Sequence, residues 1–417
     1  MYKTLHKNFF GLKIFQELSW YTLGQVIVQG VAFFSAIIVS RYLGPTNLGL
    51  YSFVQNYVGT ILTGIGGVDF YFTWRIAKSE NYYKDVLECF GYKLYLYLVL
   101  ACVGVMSAWI ILPKDVAFMV SIMLVPVCIQ SLNAFSFYVL ANGRAKLMAI
   151  TQTLSALVLF FAKVILVFAK APLYMFVVVS AVDLIGSGII FSIYFLRYKE
   201  WRDAFAQYTF PPFARVFSFL YSIRLSIAAL IFWQLLQRVD QLILATFSNA
   251  YTLGIYSAAV KVAEVPNFLA GILSAALISR MAYVATNNDE DSKHKLNRIM
   301  LSYFIVGTVI ALGFVILSPL AVHILYGSKF IESTNVLRVY ALSIPGMFMN
   351  YFFLSMYGAR DKQQYQIFIF AAAVFINVVL VYTLTPLFGL VGTAFATVVA
   401  YTASAIGFYS MLEYKNK

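Results

Sequence analysis

The chain has 417 residues, 62% of them hydrophobic and only 11% charged, with a net charge of +13 and a mean hydropathy of +0.81. That leaves too little polar surface to cover a water-soluble globule of this size, so the bilayer is the expected solvent and a soluble enzyme is excluded. The basic balance does not indicate a nucleic-acid partner, because no basic patch interleaves with a soluble aromatic face.

Stretches long enough for about 20 apolar residues occur at 20–40, 48–71, 92–112, 117–140, 147–169, 173–196, 217–243, 253–279, 300–325, 335–357, 365–386 and 390–411. They predict an all-α polytopic membrane protein of about 12 transmembrane helices. Lys3, Lys7 and Lys13 provide a basic start. The first apolar run, however, is of full spanning length and has no small-x-small cleavage site, so a retained helix is expected rather than a signal. Cys89, Cys102 and Cys128 sit in or beside the third and fourth stretches without paired or metal-ligand spacing and are read as packing residues. His6, His294 and His323 are scattered, with His323 at the outer end of the ninth stretch, and no Gly-rich phosphate loop precedes a helix. No catalytic residue, metal site or cofactor is therefore expected, and the protein is not read as an enzyme.

Residues 48 to 52 read Leu-Gly-Leu-Tyr-Ser and residues 253 to 257 read Leu-Gly-Ile-Tyr-Ser, an ungapped offset of 205. At the same offset Gly66 falls on Gly271, Arg75 on Arg280 and Ala77 on Ala282. Six spans per repeat return the chain to its starting side, so the halves are expected to be parallel repeats about an axis along the membrane normal, as in transporters that rock around a central site. The expected domains are an N-terminal six-helix lobe (1–196), a cytoplasmic linker (197–216) and a C-terminal six-helix lobe (217–417).

With both termini placed in the cytoplasm, 21 of the 30 Lys and Arg residues fall on that side. The opposite loops hold Arg41, Lys114, Lys170, Lys329 and Arg338, the bias that the positive-inside rule predicts. The net charge is then mostly topology and contact with anionic lipid. No outer loop exceeds about fifteen residues, which leaves no room for an extracytoplasmic catalytic domain. Around Trp201 and Phe205 the linker is either a membrane-surface amphipathic segment or a solvated connector.

Charges inside spans carry the functional reading, because an ionised group at mid-depth costs about 2.5 to 3.5 kcal/mol on insertion scales. Asp69, near the inner end of the second span, is expected to reach water. Folding back the hairpin of spans five and six brings Asp183 within about one turn of Lys163, as a structural pair or as a coupling group. Arg224 and Arg238 are 14 residues apart, about 21 Å along one face of a helix, with Asp240 two residues further on. Lys261 and Glu264 are one turn apart and can neutralise each other, and Pro266 loosens the backbone after them. The first half has polar Gln25, Gln29, Gln55 and Asn56, which can line a facing wall or serve as packing glue between helices. Gly64, Gly66 and Gly67, and Pro266 with Gly271, are candidate bending points. At the offset of 205, Arg224, Arg238, Asp240, Lys261 and Glu264 correspond to Ser19, Phe33, Ser35, Asn56 and Gly59, so the charges are not duplicated with the scaffold.

Five segments in order, Ser40 to Phe53, Arg238 to Gln241, Leu253 to Glu264, Tyr326 to Phe330, and Asn377 with Phe388 to Ala394, resemble the polysaccharide biosynthesis or Wzx-type flippases of the multidrug/oligosaccharidyl-lipid/polysaccharide exporter superfamily. The resemblance implies a V-shaped bundle of two six-helix lobes in the bacterial inner membrane. It implies movement of an undecaprenyl-pyrophosphate-linked oligosaccharide, an O-antigen (lipopolysaccharide) or capsule repeat unit, to the periplasmic leaflet by alternating access. On that reading Arg224, Arg238 and Lys261 offset the head's charge, Gln25, Gln29, Gln55 and Asn56 meet its hydroxyls, and Asp240, Glu264, Asp183 and Lys163 tune charge or couple protons or sodium. The implied partners are the lipid-linked oligosaccharide, membrane lipids, a glycan polymerase and a chain-length regulator. Two other classes remain open: a multidrug or cation exporter of the same superfamily, and a non-transport scaffold of a glycan polymerase complex.

Overall fold

The computed structural model describes residues 2–79, 81–274, 290–359 and 362–414, and every regular element among them is helical. In chain order these are α1 (Tyr2–Leu62), α2 (Ile65–Ala77), α3 (Tyr82–Ile111), α4 (Lys114–Leu124), α5 (Ala134–Ala141), α6 (Ala145–Phe168), α7 (Leu173–Phe195), α8 (Lys199–Ala206), α9 (Phe213–Ser222), α10 (Arg224–Phe247) and α11 (Ala250–Ala263). The longer helices Glu290–Tyr326, Ile344–Ala359 and Gln363–Tyr414 come after these, with the short Ser333–Tyr340 between the first two. The protein is an all-α polytopic membrane protein. Its lipid-compatible surface is evident in Phe168 and Ile110, which remain 83% and 79% exposed.

Nine helical stretches among the described residues are long and apolar enough to cross a bilayer. Two of them each contain two of the expected spans. Within α1, Gly44 (φ 67, ψ 178) breaks the helix ahead of Pro45, whose missing N–H costs nothing at a helix start. Gly389 (φ 59, ψ −143) breaks Gln363–Tyr414 in the same way. There Thr385 Oγ1 and Thr393 Oγ1 lie 2.8 Å apart, whereas eight residues of continuous helix would separate them by about 12 Å. The chain therefore doubles back, and spans eleven and twelve form a hairpin.

Several spans depart from simple expectation. The fourth is composite, since between α4 and α5 the residues Val125–Asn133 form a 3-10 helix with Pro126 in its first turn. The seventh begins at Arg224 rather than at 217, because 213–222 folds as the separate helix α9, which ends at Ile223 (φ −102, ψ 12). The Ser222 hydroxyl donates to the Phe219 carbonyl there, a local bond that competes with a continuing helix. The eighth is interrupted, because α11 ends at a turn over 264–266, just as α1 yields to α2 across a turn at 63–64. The interruptions fall beside the expected bending residues Gly64 and Pro266. The matches of Arg280 and Ala282 to the first half lie outside the described residues.

The helices group into two units, Met1–Val39 with Ile61–Ile227, and Ser40–Thr60 with Ala228–Lys417. In the first, Phe72, Val86, Cys89, Phe135, Phe195 and Trp201 are buried together. Trp201 of α8 packs against the rings of Tyr83, Tyr138, Phe135 and Phe195 at centroid distances of 4.8 to 5.3 Å. The linker's tryptophan thus belongs to the core, while Lys199, Glu200, Arg202, Asp203 and Phe205 on the rest of α8 are exposed. Gly91 lets the linker close on α3, since a Cβ there would collide with the Tyr208 hydroxyl and sit 3.0 Å from Pro211 Cδ. Burial pushes the Tyr208 phenol well above its usual range, so it remains protonated.

The second unit is built on a close approach of the duplicated segments. A Cβ on Gly49 would run into the Ala250 carbonyl and lie 2.9 Å from the Gly254 nitrogen. A Cβ on Gly254 would meet the Pro45 carbonyl and lie 3.0 Å from the Gly49 nitrogen. Each contact is the other transposed by 205 residues, so the helices starting at Pro45 and Ala250 cross backbone to backbone, as small residues allow in membranes. Arg41 supports the same unit by donating to the carbonyls of Ile324 and Leu325 at the end of Glu290–Tyr326, where a cation complements the helix terminus. Because rigid backbone faces each glycine, Gly49→Ala and Gly254→Ala are each expected to destabilise the protein by about 1–3 kcal/mol. Thermal unfolding in detergent checks this, with Gly30→Ala, whose added methyl meets nothing within 4 Å, as the near-neutral control.

Candidate substrate and coupling site

In the second unit, Arg238 on α10 and Glu264 at the end of α11 face each other. One Arg238 nitrogen, Nη1, lies 3.0 Å from Glu264 Oε1 and 2.9 Å from Oε2, with the side chains 23% and 14% exposed. Glu264 is the C-cap of α11 and opens the turn before Pro266, so the helix break itself presents the carboxylate. Lys261, one turn earlier, places its ammonium 5.5 Å from the centroid of the Tyr51 ring.

Asp240 is fully buried and accepts three hydrogen bonds, from the Tyr256 hydroxyl (2.5 Å), the Gln241 backbone N–H (2.7 Å) and the Thr397 hydroxyl (3.1 Å). All three donors are neutral groups. Beside it, Gln241 Oε1 accepts from Asn56 Nδ2 (2.9 Å) and the Ser257 hydroxyl (3.0 Å). Asn56 therefore belongs to a polar cluster with residues of the second repeat. Gln55 next to it is half-buried.

In the first unit, Lys163 and Asp183 meet as the hairpin geometry predicts, at 3.6 Å, with Asp183 half-exposed. Gln25 donates to Gln152 at 3.1 Å, a helix-to-helix bond of the packing kind, while Gln29 is exposed. Arg224 opens α10, exposed, with its guanidinium 4.0 Å from the Tyr221 ring centroid and Nη1 donating to the Tyr221 carbonyl at 2.7 Å. It shares α10 with Arg238 but sits at the helix start rather than within a span. Asp69 does not simply reach water, because Lys93 pairs with it at 2.7 Å.

Lys93 is the charged residue that sequence reasoning missed. Counted with a cytoplasmic loop, it is 2% exposed and lies 5.4 Å from the Phe137 centroid, and an ammonium so buried needs a counter-charge. The signal was present, since Lys93 falls two residues inside the third apolar stretch. Tyr256 and Thr397 were also unforeseen, because spacing along one helix does not reveal donors on others. Gln25, Gln29, Lys163, Asp183 and Arg224 thus lie in the first unit, and Gln55, Asn56, Arg238, Asp240, Lys261 and Glu264 in the second. Among the described residues, no group of three or more His, Cys, Asp or Glu is placed to hold a metal ion.

The polysaccharide biosynthesis protein family matches residues 14–284, well over half of the chain. The chain belongs to this family. No curated protein matches it. Among solved structures, the lipid II flippase MurJ in an inward closed conformation is similar with a TM-score of 0.76 at 12% identity, over 94% of this chain and 87% of that one. An inward-facing multidrug resistance MATE transporter of the MOP superfamily gives 0.73 at 12% identity, over 93% and 94%. A MOP superfamily transporter from Pyrococcus furiosus, described as having a binding pocket of reverse polarity, gives 0.64 at 14% identity, over 97% and 95%. At these identities the likeness establishes the fold, that of a multi-pass membrane protein.

Removing either partner of the Arg238–Glu264 pair strands a largely buried charge. Arg238→Gln and Glu264→Gln are each expected to cost about 3 kcal/mol, and the double variant is expected to recover a large part of the loss. A double-mutant cycle of thermal unfolding in detergent checks this; additive losses would mean that the two side chains are energetically independent.

Proposed function

We propose that the protein flips an undecaprenyl-pyrophosphate-linked oligosaccharide, an O-antigen or capsule repeat unit, from the cytoplasmic to the periplasmic leaflet by alternating access. The observation that carries the reading is the match to a polysaccharide biosynthesis family, in a chain whose spans hold Lys163, Arg238 and Lys261, with Arg224 at a span's end. A pyrophosphate entering low dielectric needs such cations, and arginine offers it paired donors.

On this reading the lobes are 1–196 and 217–417, joined by 197–216, in a bacterial inner membrane with both termini cytoplasmic. Arg224, Arg238 and Lys261 take the anionic head, and Gln25, Gln29, Gln55 and Asn56 contribute to the wall that meets the sugar. Asp240, Glu264 and the Lys163–Asp183 pair tune charge or couple a proton or sodium gradient. Among these Asp240 is the strongest coupling candidate, because it is fully buried and held by neutral donors alone. A glycan polymerase and a chain-length regulator are the proteins that would consume the product.

A second reading, export of drugs or other cations, is favoured by the likeness to the MATE transporter. The two separate in one experiment: leaflet assignment of the lipid-linked oligosaccharide in cells deleted for the gene and complemented with wild type, Arg224→Ala or Arg238→Ala. Repeat units are expected to be trapped on the cytoplasmic face, released by wild type, and released at least tenfold less by either variant, since about 1.4 kcal/mol of lost head binding is already tenfold. Normal periplasmic delivery without the protein would exclude the flippase and leave drug efflux to be measured.

A further inference from the structure

The short helix α9 has three faces. Val216 is buried, and Phe219, Leu220 and the adjoining Ile223 pack against the core of the first unit. Turned from that strip, Phe213, Phe217 and Tyr221 stand at intervals of four residues, one above another, and are 65%, 65% and 60% exposed. The remaining surface is small or polar: Ala214, Arg215, Ser218 and Ser222, all exposed. A span helix solvated by lipid would be apolar around its free surface, and a helix in water would not carry three exposed rings in a row. An aromatic strip beside a polar strip, on a helix whose third side is docked to protein, fits the plane where acyl chains meet headgroups.

The charges around it agree. Between 197 and 224 the chain carries Arg197, Lys199, Arg202, Arg215 and Arg224 against Glu200 and Asp203, and all five cations are exposed. The core position of Trp201 fixes α8, and so Lys199 and Arg202, against the same unit as α9. Continuity with the membrane is direct, since α10 begins two residues after α9 ends.

We propose that α8 and α9 form an interfacial binding surface for anionic phospholipid. In it Phe213, Phe217 and Tyr221 are sunk into the boundary of the acyl region, and Arg197, Lys199, Arg202 and Arg215 contact headgroup phosphates. The surface is independent of the transported substrate and would give the first unit a shell of anionic lipid.

The full-length protein in nanodiscs tests this in two ways. With its three cysteines replaced, spin labels are placed by Phe217→Cys or Ser218→Cys. The label at 217 is expected to be relaxed mainly by oxygen, the one at 218 mainly by a water-soluble nickel chelate. Equal nickel access at both positions overturns the proposal, as does shielding of 217 from both agents, which a second copy or another protein covering the face would produce. In mixed phosphatidylcholine and phosphatidylglycerol, spin-labelled phosphatidylglycerol is expected to be enriched several-fold in the protein's motionally restricted lipid shell. The variant R197Q/K199Q/R202Q/R215Q is expected to lose most of that enrichment, as is wild type in high salt. The same enrichment in wild type and variant, or none in wild type, overturns it.

Discussion

The crossing of two backbones at Gly49 and Gly254 is the constraint on which the second unit depends. Lipid supplies no hydrophobic drive between helices, so association rests on close packing and on polar groups that find partners. At this crossing even a methyl group has no room, because each glycine faces the first carbonyl of the opposite helix. The approach sets the register of the residues further along both helices. Tyr51 comes under Lys261, and Asn56 donates to the Gln241 side-chain oxygen that also accepts from Ser257. Positions 51 and 256 are both tyrosine, yet one lies beside an ammonium and the other donates to the buried Asp240. The backbone is duplicated there while the chemistry is not.

Nearly every charge deep within the spans is matched. Arg238 has Glu264, Lys93 has Asp69, Lys163 has Asp183, and Asp240 has neutral donors. Unpaired ions at that depth would oppose insertion, and each pair offsets a desolvation cost that either charge alone would carry. The pairs differ in how open they are. Lys93 is sealed at 2% exposure, a structural position, whereas Asp183 is half open and Arg238 is 23% exposed.

Much of this was legible in the sequence because the bilayer fixes helix length and hydropathy reports it. Nearly all of the twelve apolar stretches correspond to helices, and the Lys163–Asp183 pair comes from hairpin arithmetic alone. What escaped depends on contacts between distant segments. Hydropathy ran Gly44 and Gly389 correctly as turns between spans, but it merged α9 into α10, because an interfacial aromatic strip and a membrane helix have similar average composition. The Arg238–Glu264 pair joins two helices, and spacing along one helix does not reveal it. Lys93 was assigned to a loop because two residues inside an apolar stretch is within the usual error of a boundary. Around Trp201 the sequence left a membrane-surface segment and a solvated connector open, and neither reading reveals the aromatic packing with Phe135, Tyr138 and Phe195 that draws this side chain inward.

The glycine crossing also bears on how such a scaffold acquires asymmetry. A contact in which each helix makes on its partner the contact its partner makes on it is isologous, the kind that joins two identical subunits about a two-fold axis. In a dimer of half-length chains, any substitution near it would appear twice, so a lysine at one position would confront a second lysine across the axis. Within a single continuous chain each copy mutates alone. Asparagine can then stand at 56 and lysine at 261, and one crossing can carry a neutral side chain on one helix and a charged one on the other.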